Sequence, residues 1–106
     1  MTSEEKAKLI AEAMDDKKAL NIEILDVGEQ TSIAEKFVLC SCTSGTQAKA
    51  CADNVEEAVK NSGEEIHHIE GYAGGNWILI DCGDVIAHVM TEESREFYNI
   101  ERLYNI

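Results

Sequence analysis

Apolar positions recur along this chain in two rhythms. Over residues 2–18, Ala7, Ile10, Ala11 and Met14 follow the i, i+3, i+4, i+7 spacing of a helix with one buried face. Thr2 and Glu5 form a capping box at its start, and Lys17 and Lys18 suit the negative end of its dipole. The same rhythm returns after Ser44, where Ala48, Cys51, Ala52, Val55 and Val59 make a second stripe. Ser44-x-x-Gln47 opens that helix, and Asn61-Ser62-Gly63 closes it with a glycine suited to the left-handed position past a helix end. Elsewhere the period is two. Residues 21–27 predict a first strand ended by Gly28, and residues 37–42, apolar on both faces, predict a central strand covered on both sides. Residues 64–70 are more polar and predict a strand near an edge. A short helical turn is expected at 32–36, capped by Thr31 or Ser32.

Residues 76–90 carry the strongest pattern. Two runs rich in β-branched and large apolar residues meet at Cys82-Gly83 between Asp81 and Asp84, as in a two-residue hairpin. With that pair as the turn, Asp81 faces Asp84, Leu79 faces Ile86 and Trp77 faces His88. Ile78, Ile80, Val85, Ala87 and Val89 then form a purely apolar face that belongs on the core. The opposite face, with Trp77, His88 and both aspartates, reads as a docking surface. Thr91 is placed to cap a last short helix at 91–94, and Phe97, Tyr98, Ile100, Leu103 and Tyr104 are expected to fold back on the body. Strands interleaved with helices predict an α/β fold, a single-domain α-β-α sandwich around a mixed sheet of about five strands, whose order the pattern leaves open.

Composition narrows the class of partner. A length of 106 residues fits one domain over 1–106, and 9 basic against 21 acidic residues leave a formal charge of -12. That balance opposes direct binding to nucleic acid or to an anionic membrane and favours a basic partner. With no apolar run of roughly 20 residues and no signal-peptide pattern, a cytoplasmic protein is expected. The four cysteines, at 40, 42, 51 and 82, then read as reduced thiols.

Each candidate chemistry has a plainer reading beside it. Cys40 and Cys42 with His67 and His68 lack the ligand spacing of a zinc site, so no metal site is expected. Residues 43–46 pass from strand to helix without a phosphate-loop pattern and read as a helix cap, so no cofactor is expected. Strand-end aspartates Asp26, Asp81 and Asp84 suit a Mg²⁺-dependent nucleotidyltransferase, which is the alternative reading. Two carboxylates facing each other need a cation, and a lysine or arginine of a partner would serve as well as a metal. Trp77, the only tryptophan, is a candidate interface anchor. Nothing marks His88 as a base beside a nucleophile, so no catalytic residue is expected.

Three stretches, Glu70-Gly71-Tyr72, Trp77 through Val89 and Arg95 through Leu103, closely resemble the ribosomal silencing factor family, RsfS, also called Iojap. Leu25-Asp26-Val27, Ser32-Ile33-Ala34, Phe37-Val38-Leu39, Thr43-Ser44 and Gln47 through Val55 extend the match over nearly the whole chain. The resemblance implies a cytosolic factor that binds the large ribosomal subunit on its subunit-joining face, through the basic large-subunit protein numbered fourteen. There it would block the small subunit and repress translation when nutrients are scarce. It implies a fold similar to nucleotidyltransferases without transfer activity. Cys42, Thr46 and Tyr104 stand where the family usually has glycine, arginine and tryptophan. On this reading Trp77, Asp81, Asp84 and His88 form the core of the contact, with Tyr72, Glu70 and Glu93 as its rim. A homodimer using the same hairpin face is a third reading.

Overall fold

Cap side chains decide where the two long helices begin. The computed structural model describes residues 1–104, so the last two positions of the expected domain lie outside the described residues. In α1 (Ser3–Asp16) the Thr2 hydroxyl accepts from the Glu5 amide and the Glu5 carboxylate accepts from the Thr2 amide, completing the capping box. In α2 (Gly45–Asn61) the Ser44 hydroxyl accepts from the Gln47 amide. The return bond falls one residue early, because Gln47 Oε1 accepts from the Thr43 amide at 2.7 Å. Its amide nitrogen meanwhile donates to the Lys17 and Lys18 carbonyls, tying the start of α2 to the end of α1.

Five strands, β1 (Leu20–Asp26), β2 (Lys36–Cys42), β3 (His68–Glu70), β4 (Trp77–Asp81) and β5 (Val85–Thr91), form one mixed sheet in the order β1-β2-β5-β4-β3. Only β2 and β5 pair in parallel, and these are the two strands buried almost throughout, as a parallel pair covered on both faces requires. The helical turn expected at 32–36 does not form. The Val27 amide donates to the Glu35 carbonyl, and the Glu35 and Lys36 amides donate to the Asp84 carbonyl, so this backbone already pairs as sheet and β2 starts at Lys36. The third strand lies at an edge, as its polarity predicts, and is shorter than expected.

The layers on the two sheet faces are unequal. Ala7, Ile10 and Met14 of α1 and Cys51, Val55 and Val59 of α2 share one core with Val38, Ile78, Ile80, Val85, Ala87 and Val89 of the sheet. The opposite face carries Leu25, Phe37, Leu39, Ile86 and Met90, covered among the described residues by the short α3 (Glu92–Tyr98) and α4 (Ile100–Leu103). Asn99, in the left-handed region at φ 44°, breaks the helix between them. Of the residues expected to fold back, Ile100 is buried and Tyr104 half-buried, whereas Phe97, Tyr98 and Leu103 are exposed. What holds this segment is Arg95. Its guanidinium, 9% exposed, donates to Ser41 Oγ at 3.1 Å, to the Asn21 carbonyl, to Glu23 at 2.8 Å and to Glu101 at 3.4 Å. The Asn21 carbonyl belongs to a bulge where β1 slips against β2. Among the described residues, no helix is long and apolar enough to cross a membrane.

Candidate partner-binding face

The site is built on the β4–β5 hairpin, whose register differs from the expectation by one pair. Leu79 faces His88, Trp77 faces Met90 and Asp81 faces Ile86. The bend is Gly83-Asp84, closed by the Cys82 amide donating to the Val85 carbonyl at 2.9 Å. The reason is local. A two-residue hairpin of the II′ kind needs positive φ at its first central residue, and Gly83 supplies it at +91°. Asp81 Oδ1 accepts from the Gly83 amide at 2.9 Å and fixes the bend there. A slip by a whole pair leaves parity unchanged, so both faces keep the composition expected of β4 and of β5 beyond the turn. Ile78, Ile80, Val85, Ala87 and Val89 are all fully buried beneath the helices.

On the other face, Trp77 is half-buried and stands diagonal to His88. Its indole N–H donates to His88 Nδ1 at 3.1 Å. Rings continue on both sides of this pair: Tyr98 lies 4.8 Å from Trp77, Phe97 lies 5.0 Å from Tyr98, and Phe37 lies edge-on at 4.5 Å from His88. The row begins outside the protein and ends in its core, with Phe97 79% exposed, Tyr98 49% and His88 only 4%. His88 is therefore a support beneath the face, a correction to its expected place on the surface. Since Nδ1 accepts, the neutral ring carries its proton on Nε2, which is buried without a hydrogen-bond partner among the described residues. Burial pushes its pKa down to about 4.

The carboxylates divide between the faces. Asp81 is half-buried on the Trp77 side, and the ladder places His68 and Glu70 of β3 beside Asp81 and Leu79 on that same face. Glu70 is exposed and bonded to His68 Nε2 at 2.7 Å. Glu93 is exposed in the first turn of α3. Asp84 departs to the helix side, where Lys6 Nζ donates to it at 2.8 Å, donates to the Cys82 carbonyl at 2.8 Å and pairs with Glu64 at 3.2 Å. Asp81 and Asp84 thus do not face each other, and the cation beside Asp84 comes from the chain itself. Burial opposes the charge on Lys6, but its hydrogen bonds and charge pairing with Asp84 and Glu64 outweigh that and raise its pKa. Tyr72 also lies apart: its hydroxyl donates to Asp53 of α2 at 3.2 Å, on the helix side. Asp26, the remaining strand-end aspartate, is bonded to Lys36. The three aspartates of the nucleotidyltransferase reading do not converge on one another.

Phe97 and Tyr98 join the face, although their apolar character predicts a tail folded back on the body. Hydropathy alone does not separate a ring left in water from one folded back on the body.

Fold and face together define a small acidic α/β domain with an exposed aromatic surface. Residues 1–106 match the family described as "Ribosomal silencing factor during starvation". The ribosomal silencing factor RsfS of Chromobacterium violaceum is 38% identical over 104 residues, covering 98% of this chain and 85% of the relative. That of Halalkalibacterium halodurans is 36% identical over 104 residues, covering 98% of this chain and 89% of the relative. A crystal structure of a protein from Chromobacterium violaceum superposes with a TM-score of 0.96 at 38% identity, covering 98% of this chain and 87% of the other. The chain belongs to the ribosomal silencing factor family.

Proposed function

We propose that this protein binds the large ribosomal subunit in the cytoplasm through a basic ribosomal protein, the one numbered fourteen, and sterically prevents the small subunit from joining, repressing translation under nutrient limitation. The observation that carries the reading is the exposed aromatic row of Phe97, Tyr98 and half-buried Trp77 on a protein of formal charge -12. Large rings that stay in water in the free protein bury much area on docking and are typical energetic anchors. The acidic balance draws in a basic surface and disfavours direct contact with ribosomal RNA. In this reading Trp77, Tyr98 and Phe97 form the centre and Asp81, Glu70 and Glu93 the rim, pairing with lysines and arginines of the partner. His88 holds the indole from beneath, Asp84 fixes the hairpin bend through Lys6, and Tyr72 stands at a distance from the contact.

Co-sedimentation with separated ribosomal subunits tests it. The protein is expected to pellet with large subunits and to inhibit their joining to small ones. Trp77→Ala and Phe97→Ala are each expected to weaken binding by at least about 2 kcal/mol, the usual hot-spot threshold. Large subunits that bind both variants as tightly as the parent protein would remove this face from the mechanism. Should free protein instead self-associate through the same face, sedimentation would show a dimer that large subunits dissociate.

A further inference from the structure

Three of the four cysteines meet at one point in the core. Cys40 and Cys42 alternate on β2 and so point to the same face, toward the helices, and Cys51 descends onto them from α2. All three are fully buried, their sulfurs lie within 4.8 Å of one another, and Cys40 and Cys51 are 3.9 Å apart. Cys82 is elsewhere, in the hairpin bend, its thiol directed at the Ile80 carbonyl. We propose that Cys40, Cys42 and Cys51 form a buried three-sulfur site for a trivalent thiophilic centre of the arsenite class.

Geometry and charge lead to that class. A centre bonded to three sulfurs at roughly 2.3 Å holds them roughly 3.5–4 Å apart, from pyramidal to planar, so small side-chain rotations close the site. Soft thiolates select soft centres, and a structural zinc site would want a fourth ligand, which the described residues do not add to the cluster. The three sulfurs lie in an apolar core with Met14, Ala48 and Val55, where a net charge is costly. Cuprous ion on two thiolates leaves a charge of minus one there, and on three, minus two. Arsenous acid leaves none. Each of its three As–OH bonds breaks as an As–S bond forms, each thiol proton departs with hydroxide as water, and arsenic stays trivalent throughout. Two of the thiols are already in contact, Cys40 and Cys51 sharing a sulfur hydrogen bond. Occupation would pin α2 to β2.

The test uses the reduced full chain, without oxygen, incubated to equilibrium with arsenite. Intact mass is expected to show one arsenic gained and three hydrogens lost, arsenic X-ray absorption three sulfur neighbours and no oxygen, and the melting temperature a rise. Cys40→Ala, Cys42→Ala and Cys51→Ala, each checked for folding by circular dichroism, are expected to weaken uptake about 100-fold, since each removes one intramolecular bond. Cys82→Ser is expected to bind as the parent does. If one cysteine variant fails to fold, the other two and the absorption spectrum decide. Uptake that survives loss of any of the three, that Cys82→Ser abolishes, or that lowers the melting temperature because unfolded thiols bind better would overturn the proposal. So would cuprous ion binding to the same thiols more tightly than arsenite.

Discussion

Replacing His88 with asparagine tests the support beneath the aromatic face and should make the protein less sensitive to acid. In the folded protein the ring is buried and its pKa lies at about 4, against an ordinary value of 6.5. The unfolded chain binds the proton first as pH falls, so the stability that comes from keeping the ring neutral is present above about pH 6.5 and lost toward pH 4. At about 1.4 kcal/mol per tenfold change in proton concentration, the full loss is about 3 kcal/mol, of which about 2 kcal/mol has gone by pH 5. Asparagine offers an oxygen near the position of Nδ1, so the indole keeps an acceptor while the titration disappears. Ion pairs such as Lys6–Asp84 and Arg95–Glu23 are common to both proteins and cancel in the comparison. Urea unfolding followed by Trp77, the sole tryptophan, gives stability at each pH. The parent should lose about 2 kcal/mol more than His88→Asn between pH 7.5 and pH 5. Parallel stability curves, or a His88 nitrogen resonance titrating near its ordinary value, would refute the reasoning.

Other perturbations follow from the same geometry. Gly71→Ala would set a methyl 2.1 Å from the Trp77 carbonyl at a φ of +78°; a loss of about 3 kcal/mol is expected by chemical denaturation. Gly63→Ala, at φ +90° but with open space around it, should cost only about 1–2 kcal/mol. Lys6→Met removes the donor shared by the Cys82 carbonyl and Asp84, and about 2 kcal/mol should be lost in urea titration. Arg95→Lys cannot reproduce the guanidinium fork; hydrogen exchange over residues 92–104 should quicken at temperatures where the sheet amides stay protected.

How much of this could be read from the chain differs from residue to residue. Period two put Trp77 and His88 on one face and Ile78, Ile80 and Val85 on the other, and the structure keeps that division. Where the bend falls depends on which single residue takes positive φ, and the flanking aspartates point to Cys82-Gly83 although it is Gly83 that leads the turn. The partner of Asp84 was beyond reach, because Lys6 stands 78 positions away on a helix whose apolar stripe says nothing of a buried amine. Cys40 and Cys42 were legible as a same-face pair and Cys51 as part of a buried helical stripe. That the stripes meet depends on α2 crossing over β2, a tertiary fact. For the last segment, hydropathy could not distinguish Ile100, which is buried, from Phe97 and Leu103, which are exposed.

Arg95 ties the aromatic row to the far margin of the sheet. One guanidinium reaches from α3 to the carbonyl of Asn21 in the β1 bulge, so the outer rings take part of their bearing from an edge strand. Removing one residue at the bulge would leave that cation without its oxygen and swing Phe97 and Tyr98 off station, disarming the face by an edit made in a strand at the margin of the sheet.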